Sequence, residues 1–299
     1  MKFILMGTGT SHGIPVIGCN CKVCTSADSR DSRFRCSAYA VQDETALVID
    51  TGPEFRLQAL RNHITCLDAV LLTHSHADHL HGLDDLRVFS HTKPCECDSA
   101  QFPETEGKGL PLYSNPSTLA DIRFRFDYIF KTVQEGGGVA KLDFQDCSAY
   151  GADNPLVIGK IQVVPVPLEH GSIESTGWLL SRTDESGQKH SVAYLTDCSA
   201  VPKASIELVR NCSGALEHLV IDGLRERPHS THFCFDEALS CADKIGARHT
   251  WLIHMNHDLL HTEIENYIEE RLRNYPNLAK IVAEGGSVAP GYDQLELSV

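Results

Sequence analysis

The stretch "LLTHSHADHLHGL" at residues 71–83 begins as an apolar strand and then carries four histidines and one aspartate. In an extended chain, His74 and His76 are two residues apart and project to the same side. Asp78 and His79 follow where the strand turns toward a helix, so their side chains can serve a neighbouring position. Imidazole and carboxylate groups bind Zn²⁺, Mn²⁺ or Fe²⁺, and paired ions about 3.5–4 Å apart share ligands. The stretch therefore indicates a metal site, although a solvated, histidine-rich loop would look the same.

Two metal ions need more ligands than one loop supplies, and three further candidates stand at the ends of predicted strands. His170 follows "VVPVPLE", Asp197 ends "VAYLTD" and His254 ends "TWLIH". Active-site residues gather in loops that leave a rigid sheet. Each residue alone has an ordinary explanation, as a loop histidine, a helix-capping aspartate or a core histidine, but the set favours metal ligation. His81, one turn beyond His79, is interpreted as a helix-surface residue or an outer contact.

The overall composition limits the class of protein. The chain has 299 residues, of which 42% are hydrophobic, a net charge of −14 and 12 cysteines. The acidic charge argues against a nucleic acid partner, but a metal site can still attract a small phosphorylated substrate. No apolar run reaches the roughly 20 residues of a membrane span, and "MKFILMG" is too short for a signal sequence. We expect a cytoplasmic protein with reduced thiols and no membrane partner. We also expect a homodimer, because dimers are the commonest assemblies among soluble oligomers.

Short strand-like runs alternate with helical segments along the chain. Helices are predicted at residues 54–62, 83–89, 116–123, 202–211, 235–245 and 261–275. Strands are predicted at residues 2–7, 37–42, 45–50, 69–73, 110–114, 139–145, 160–168, 177–183, 191–196, 218–222 and 249–255. This alternation favours a sheet packed with helices, of the α+β or α/β class, in a single domain over residues 1–299. The stretch at 93–109 is rich in Pro, Gly and acids and is interpreted as a surface insertion, in which Cys95 and Cys97 have no assigned role.

These motifs together resemble the metallo-β-lactamase superfamily. "THSHADH" with the downstream His170, Asp197 and His254 carries that resemblance. Within the superfamily, "GTGTSHGIP", "GCNCKVC", "IDTG", "LTDCSA" and "PHSTHF" are similar to the phosphoribosyl cyclic phosphodiesterase family, PhnP. The resemblance covers most of the chain, apart from the stretch at 93–109. It implies a four-layer αββα sandwich with two metal ions at one edge.

The resemblance also implies a role for each candidate residue. One ion would be held by His74, His76 and His170, the other by Asp78, His79 and His254, with Asp197 as the bridge. Asp50 in "LVIDTG" is similar to a carboxylate that holds the metal-binding loop, although an aspartate in a strand-ending turn fits the same letters. The two ions would be Zn²⁺ or Mn²⁺, because these ligands suit either.

Cys19, Cys21 and Cys24 form a C-x-C-x₂-C pattern that could converge on one ion. Structural Zn²⁺ takes four N or S ligands, and thiols this close cannot all pair as disulfides. The family resemblance supplies His257, three residues after His254, as the fourth ligand of a structural zinc. A redox-active or merely exposed thiol cluster is the alternative. If the zinc interpretation holds, loss of the ion would disturb His254 directly.

A leaving alkoxide needs a proton, and two histidines in "DGLRERPHSTHFCFDEAL" stand just before a predicted helix. The position similar to the family's catalytic histidine is His232, rather than His229. Asp222, which ends a predicted strand, could orient His232 by accepting its ring N–H. The alternative for His232 is a residue that packs at the start of the helix. Arg225 and Arg227 could contact a phosphate group or be simply solvated.

The expectations combine into one predicted function, that of a dinuclear metal-dependent phosphodiesterase. Two divalent ions would lower the pKa of a bridging water, and the hydroxide would attack a small cyclic or alkyl phosphodiester, such as a phosphoribosyl cyclic phosphate or a cyclic nucleotide. Three alternatives fit the same residues: a ribonuclease Z-like tRNA-processing enzyme, a thioester or lactone hydrolase, and a non-enzymatic carrier in cofactor biosynthesis. The acidic charge argues against the first of them.

Overall fold

Buried apolar side chains line both faces of the central strands in this computed structural model, which describes residues 1–91, 109–130 and 139–299. In the strand at Thr45–Ile49, Leu47 and Ile49 pack in one hydrophobic cluster and Val48 packs in another. Successive side chains of a strand point to opposite faces, so both faces of this sheet must be covered by other layers.

The described residues form two sheets of seven strands each. The first sheet contains β1 (Lys2–Gly7), β2 (Ser37–Gln42), β3 (Thr45–Ile49), β4 (Ala69–Leu71), β5 (Leu110–Ser114), β6 (Leu142–Asp146) and, from the end of the chain, β14 (Leu295–Ser298). The second contains β7 (Leu156–Ile158), β8 (Ile161–His170), β9 (Ile173–Thr183), β10 (Lys189–Leu195), β11 (Ala215–Asp222), β12 (His249–Ile253) and β13 (Ser287–Pro290). The spatial orders are β14-β1-β2-β3-β4-β5-β6 and β13-β12-β11-β10-β9-β8-β7.

Eight α-helices pack around these sheets in the part of the chain that the structure describes. They are α1 (Phe55–Arg61), α2 (Ala77–Leu80), α3 (Arg87–His91), α4 (Pro116–Arg125), α5 (Lys203–Cys212), α6 (Phe235–Ile245), α7 (His261–Arg271) and α8 (Pro276–Ala283). Short 3-10 turns lie at Ser29–Asp31, Leu83–Leu86, Asp127–Phe130, Cys147–Ala149 and Leu272–Asn274. The predicted helix at 83–89 is therefore partly wrong, because it begins as a 3-10 turn, and the helix predicted at 261–275 changes to 3-10 geometry after Arg271. The remaining predicted helices and all eleven predicted strands are confirmed within a few residues, apart from the start of β9.

Three hydrophobic clusters separate four layers. The central cluster lies between the sheets, where Phe3 of β1 meets Tyr194 of β10. A second cluster joins the outer face of the first sheet to the helices α1 and α4, for example through Val70 and Phe55. The third joins the outer face of the second sheet to α5, α6, α7 and α8, with Leu239 at full burial. This helix, sheet, sheet, helix order confirms the predicted αββα sandwich.

The parallel half of each sheet brings its strand ends to one edge. Strands β3 to β6 pair in parallel in the first sheet, and β10 to β13 do so in the second. His74 follows β4, Asp197 follows β10, Asp222 ends β11 and His254 follows β12. Since parallel neighbours end on the same side of a sheet, these residues can meet there although they are far apart in sequence.

The predicted insertion at 93–109, with Cys95 and Cys97, lies outside the described residues except for Gly109. Among the described residues, no helix combines the length and the apolar character that a membrane span requires.

Candidate metal centre

Three of the predicted ligands form a compact group at the edge of the sandwich. His74 Nε2 lies 2.9 Å from His76 Nδ1, and His170 Nε2 lies 3.2 Å from the same atom. His74 and His76 come from the loop between β4 and α2, and His170 comes from the end of β8. All three donor atoms and a carboxylate oxygen of Asp197 lie within 4.8 Å of one another. The structure therefore brings together the residues expected to hold the first ion.

The second predicted group lies beside the first. His79 Nε2 is 3.4 Å from Asp78 Oδ2, and His254 Nε2 is 3.8 Å from the same oxygen. Asp78 and His79 belong to the single turn of α2, so adjacent residues of one helix supply two donors. His254 has a φ of 62°. A left-handed backbone costs a residue other than glycine about 1–3 kcal/mol and is concentrated at functional sites, so the fold maintains this ring position against local strain.

Asp197 lies between the two groups. Its Oδ2 is 3.7 Å from His74 Nε2 and 3.4 Å from His254 Nε2, whereas its Oδ1 is 3.3 Å from His79 Nε2. The carboxylate is almost completely buried, with 2% of the side chain exposed. One carboxylate thus faces donors of both groups, which is the placement expected of the predicted bridging residue.

Asp50 and Thr73 orient two of the histidines from outside. The amide and the hydroxyl of Thr73 donate to Asp50 Oδ1 and Oδ2, both at 2.8 Å, and His79 Nδ1 lies 2.7 Å from Asp50 Oδ2. Because the Thr73 hydroxyl proton is already used, Thr73 Oγ1 accepts a hydrogen bond from His74 Nδ1 at 3.0 Å. Hydrogen bonds at Nδ1 leave the Nε2 lone pairs of both rings available to a metal ion. Asp50 was predicted in this supporting role, whereas Thr73 was not, although it directly precedes His74.

The backbone supplies the third such contact. His170 Nδ1 lies 2.6 Å from the carbonyl oxygen of Thr231, and a carbonyl can only accept. The proton of His170 is therefore on Nδ1, and Nε2 carries the lone pair that points into the group. Sequence analysis could not find this contact, because a main-chain carbonyl leaves no trace in residue type.

Charge and orphaned atoms test whether metal ions suit this site. His79 Nε2 and both ring nitrogens of His254 are buried without a hydrogen-bond partner in the described part of the chain. Burial disfavours a charged ring, yet Asp197 and Asp78 raise the pKa of His254 to about 9. Burial also lowers the pKa of His74 well below its usual value, so this ring is in the neutral form that binds metals. The site thus combines clustered carboxylates, which are stabilised by nearby positive charge, with imidazole nitrogens that have no partner. Two divalent ions would supply that charge and bind those nitrogens.

His232 and Asp222 lie together at the margin of the second group. His232 Nδ1 is 2.8 Å from Asp222 Oδ2, which also accepts the amide of Cys198 at 2.9 Å. The His232 ring stacks on the His254 ring, with centroids 4.4 Å apart and planes inclined by 13°. The side chain of His232 retains 12% exposure, whereas Asp222 has none. The predicted pairing is thus present, and it leaves His232 Nε2 available for another contact.

The arginines considered for phosphate contact are engaged within the protein. Arg225 donates to the carbonyl oxygens of Arg227 and Pro228, and Arg227 lies 3.2 Å from Asp258. His229 lies near His232, but its Nδ1 contacts the amide and hydroxyl of Thr231. These contacts shape the loop before α6.

His81 lies outside both groups. It is exposed at the end of α2, and its ring meets the edge of Phe126 with centroids 6.1 Å apart. This position is that of the predicted helix-surface residue.

A separate cluster contains the three cysteines and His257. Each of Cys19 Sγ, Cys21 Sγ and Cys24 Sγ lies 3.4 Å from His257 Nδ1. A tetrahedral zinc with ordinary bond lengths would separate such S and N atoms by roughly 3.5 Å. The amide of Cys24 and, to a lesser degree, the ring of His257 lower the pKa of the Cys21 thiol to about 6, which favours the thiolate that binds metals. The donor set and its spacing fit one structural zinc.

Comparisons with known proteins agree with the fold and the site. Residues 45–255 match the family model described as a beta-lactamase superfamily domain. A solved structure of a diphosphatase from the PhnP family is 35% identical, with a TM-score of 0.74 and coverage of 100% of this chain and 97% of that chain.

Two curated relatives carry other names. An octanoyltransferase of Porphyromonas gingivalis is 33% identical over 291 residues, which is 96% of this chain and 52% of the relative, so the chain spans about half of that protein. Coenzyme PQQ synthesis protein B of Methylorubrum extorquens is 27% identical over 243 residues, covering 75% of this chain and 73% of the relative. The family match, the αββα fold and the paired histidine and aspartate groups show that the chain belongs to the metallo-β-lactamase superfamily and, within it, resembles the PhnP family.

Proposed function

We propose that the protein is a phosphodiesterase that hydrolyses a small cyclic or alkyl phosphodiester. One observation carries this proposal: two groups of residues that could hold metal ions share Asp197, and an oriented histidine, His232, stands beside them. The first ion would be held by His74, His76 and His170, and the second by Asp78, His79 and His254. Two Zn²⁺ or Mn²⁺ ions bound there would lower the pKa of water and offset negative charge on the reacting oxygens.

His232 is the proton donor in this proposal. Asp222 accepts at Nδ1 and fixes the ring, so Nε2 is the atom that gives a proton to the departing alkoxide oxygen. Stacking on His254 places the ring next to the second ligand group.

The resemblance to the PhnP-family diphosphatase supports attack at phosphorus. The net charge of −14 argues against a long polyanion such as tRNA, because the 40 Asp and Glu residues outnumber the 26 Lys and Arg residues that could neutralise its phosphates. A small phosphodiester needs only the local positive charge that the ions would bring. We therefore prefer a small substrate to the ribonuclease Z-like alternative.

A thioester hydrolase is the second candidate. The relative from Porphyromonas gingivalis is named an octanoyltransferase, and acyl transfer takes place at a carbonyl carbon. Two divalent ions can also promote water attack on a carbonyl, so the same residues would serve. The similarity to coenzyme PQQ synthesis protein B keeps a role in cofactor biosynthesis as the third alternative.

We also propose that Cys19, Cys21, Cys24 and His257 hold a structural zinc. The equal distances of 3.4 Å from the three sulfur atoms to His257 Nδ1 support this assignment. Closed four-ligand sites of this kind stabilise folds rather than take part in reactions.

One panel of substrates separates the candidate functions. The purified protein, with its metal content measured, is incubated with bis(4-nitrophenyl) phosphate, a 1,2-cyclic ribose phosphate, octanoyl thioester and a precursor tRNA. The proposal expects turnover of the first two and none of the tRNA. Turnover of the thioester alone would overturn it in favour of the second candidate. A His232→Ala variant in the same panel shows whether any turnover belongs to this site.

A further inference from the structure

His76 differs from three other histidines of the two groups in what holds its ring. His74, His79 and His170 each have an oxygen partner at Nδ1, on Thr73, Asp50 and Thr231 respectively. Within residues 1–91, 109–130 and 139–299, the ring of His76 has hydrogen-bonding neighbours only in His74 and His170. It is also the one member of the two groups that is only partly buried, whereas the others have less than a tenth of their surface exposed. No oxygen atom of the described residues holds the ring of His76, so the backbone that carries it is the other support available to it.

The residue before it, Ser75, is held from two sides by α4. The Ser75 hydroxyl donates to Asp121 Oδ2 at 2.6 Å, and Arg125 Nη1 donates to the Ser75 carbonyl oxygen at 2.7 Å. Arg125 Nη2 donates to the same Asp121 oxygen at 3.2 Å. The carbonyl of Ser75 belongs to the peptide unit that leads into His76, so these contacts fix the direction in which His76 leaves the chain.

Helix α4 is a firm support for these contacts. Its N-cap residue Asn115 accepts the amide of Thr118 at 2.9 Å and donates to Thr176 Oγ1 at 3.1 Å. Leu119 and Ile122 are buried in the cluster beneath the first sheet. Asp121 and Arg125 are thus carried by an element that is fixed at its start and along its inner face.

The ion pair between Asp121 and Arg125 does not by itself explain the arrangement. The two side chains are 50% and 37% exposed, and an exposed ion pair of this kind adds little to stability. Ser75, in contrast, is 6% exposed and lies between two ligand residues. The contacts to Ser75, rather than the ion pair itself, therefore bear on the position of His76.

We propose that Asp121 and Arg125 are positioning residues that set the place of His76 through Ser75. The inference rests on the proposed function, since it assumes that His76 is a metal ligand. Residues that orient metal ligands from outside typically alter metal affinity 10–100-fold when they are removed. The ion held by His74, His76 and His170 depends on α4, whereas the ion held by Asp78, His79 and His254 does not.

The test measures binding rather than turnover. Parent protein, Arg125→Ala and Asp121→Asn, each with zinc kept in the cysteine cluster and the histidine groups stripped of ions, are titrated with Co²⁺, and the visible absorption and the ion content after dialysis give a dissociation constant for each edge site. We expect one of the two constants at the edge site to rise about 10–100-fold while the other stays unchanged. Glu207→Ala is the matched control, because Glu207 and Lys203 form an exposed i,i+4 pair on α5.

A double-mutant cycle separates positioning from general destabilisation. In a Ser75→Ala background the hydroxyl contact is absent, so Asp121→Asn should then have little further effect on Co²⁺ affinity. Equal weakening of both sites, or full affinity in Arg125→Ala, would overturn the inference. A parent protein that binds two ions at the edge but hydrolyses no member of the panel would contradict the proposed function and leave the positioning role intact.

Discussion

Carboxylates govern the behaviour of single residues at the edge site. Asp197 faces donors of both groups, Asp50 holds His79, and Asp222 holds His232. Burial raises the pKa of Asp50, and contacts from His79 and Thr73 oppose that rise. Each of these carboxylates therefore contacts at least one histidine. Removing one histidine should then change one step, either metal binding or proton transfer, rather than both.

Replacing His232 by Ala should slow phosphodiester turnover by roughly 10²–10⁴-fold, the usual contribution of a general acid. The number of bound ions should not change, because the proposal assigns no ion to His232. Steady-state kinetics and metal analysis of the same preparation check both parts. His63→Asn, at an exposed position outside the site, should behave as the parent does. Turnover within about twofold of the parent would remove His232 from the reaction.

At the scale of elements, the metal-binding loop packs closely against the turn after β3. The amide of Thr51 donates to the His79 carbonyl at 2.8 Å, and the amide of Gly82 donates to the Thr51 carbonyl at 2.8 Å. A Cβ atom on Gly52 would lie 2.1 Å from the carbonyl oxygen of Asp78. Glycine is thus required in "DTG" because the backbone of α2 passes directly over it.

Gly52→Ala should displace α2 and weaken metal binding, because the clash involves backbone atoms that cannot rotate away. We expect at least a tenfold loss of Co²⁺ affinity together with a lower melting temperature. Gly151→Ala is the control, since a Cβ there has no neighbour within 4 Å. Co²⁺ titration and thermal denaturation of the two variants measure the affinity and the melting temperature. Parent-like affinity in Gly52→Ala would show that the loop tolerates the shift.

The cysteine cluster connects the loop at 19–24 to the loop that follows His254. Cys24→Ser should release one ion per chain and lower the unfolding temperature, because metal binding in such sites contributes directly to folding. Cys66→Ser, a free and partly buried cysteine outside the cluster, is the matched control. Metal analysis and thermal denaturation provide the readouts. An unchanged ion content in Cys24→Ser would support the alternative of a simple thiol cluster.

The main elements could be predicted because they depend on local pattern, whereas the roles of most candidate residues followed from the family resemblance. The apolar runs of β1, β2 and β5 and the capped helix α6 have the bounds that periodicity predicts. Strands β7, β13 and β14 have only three or four residues, too few for a clear alternation. Contacts such as Ser75 with Asp121 could not be predicted, since the partners are 46 residues apart and neither carries a distinctive motif.

At the scale of the whole molecule, a buried network ties the start of the chain to its end. Arg33 donates to the Gly291 carbonyl at 2.6 Å and lies 3.0 Å from His261 Nδ1. Asp31 accepts the amide of His261 at 2.6 Å. Burial, and secondarily the positive charge of Arg33, lowers the pKa of His261 to about 3. The neutral ring is therefore part of how α7 is attached to the segment that precedes β2.

This attachment makes stability depend on pH. In the unfolded chain His261 has a pKa of about 6.5, so between pH 6.5 and 3 the unfolded state binds a proton that the folded state does not. Stability from this group is complete above pH 6.5 and is lost as the pH falls, by about 2 kcal/mol at pH 5. His261→Asn should lose correspondingly less between pH 7 and 5. Urea unfolding of metal-free protein at both pH values measures the difference, and identical losses in variant and parent would contradict it.

The central claim is that hydrolysis requires two divalent ions at the edge where both sheets end. The most direct measurement is the turnover of bis(4-nitrophenyl) phosphate as Zn²⁺ or Mn²⁺ is added in known equivalents to protein whose cysteine cluster holds zinc and whose histidine groups have been stripped of ions. We predict that turnover is absent at first and reaches its plateau when two further ions per chain are bound. Full turnover in the protein without ions at the edge, or a plateau with no ion bound by the histidine groups, would contradict the account.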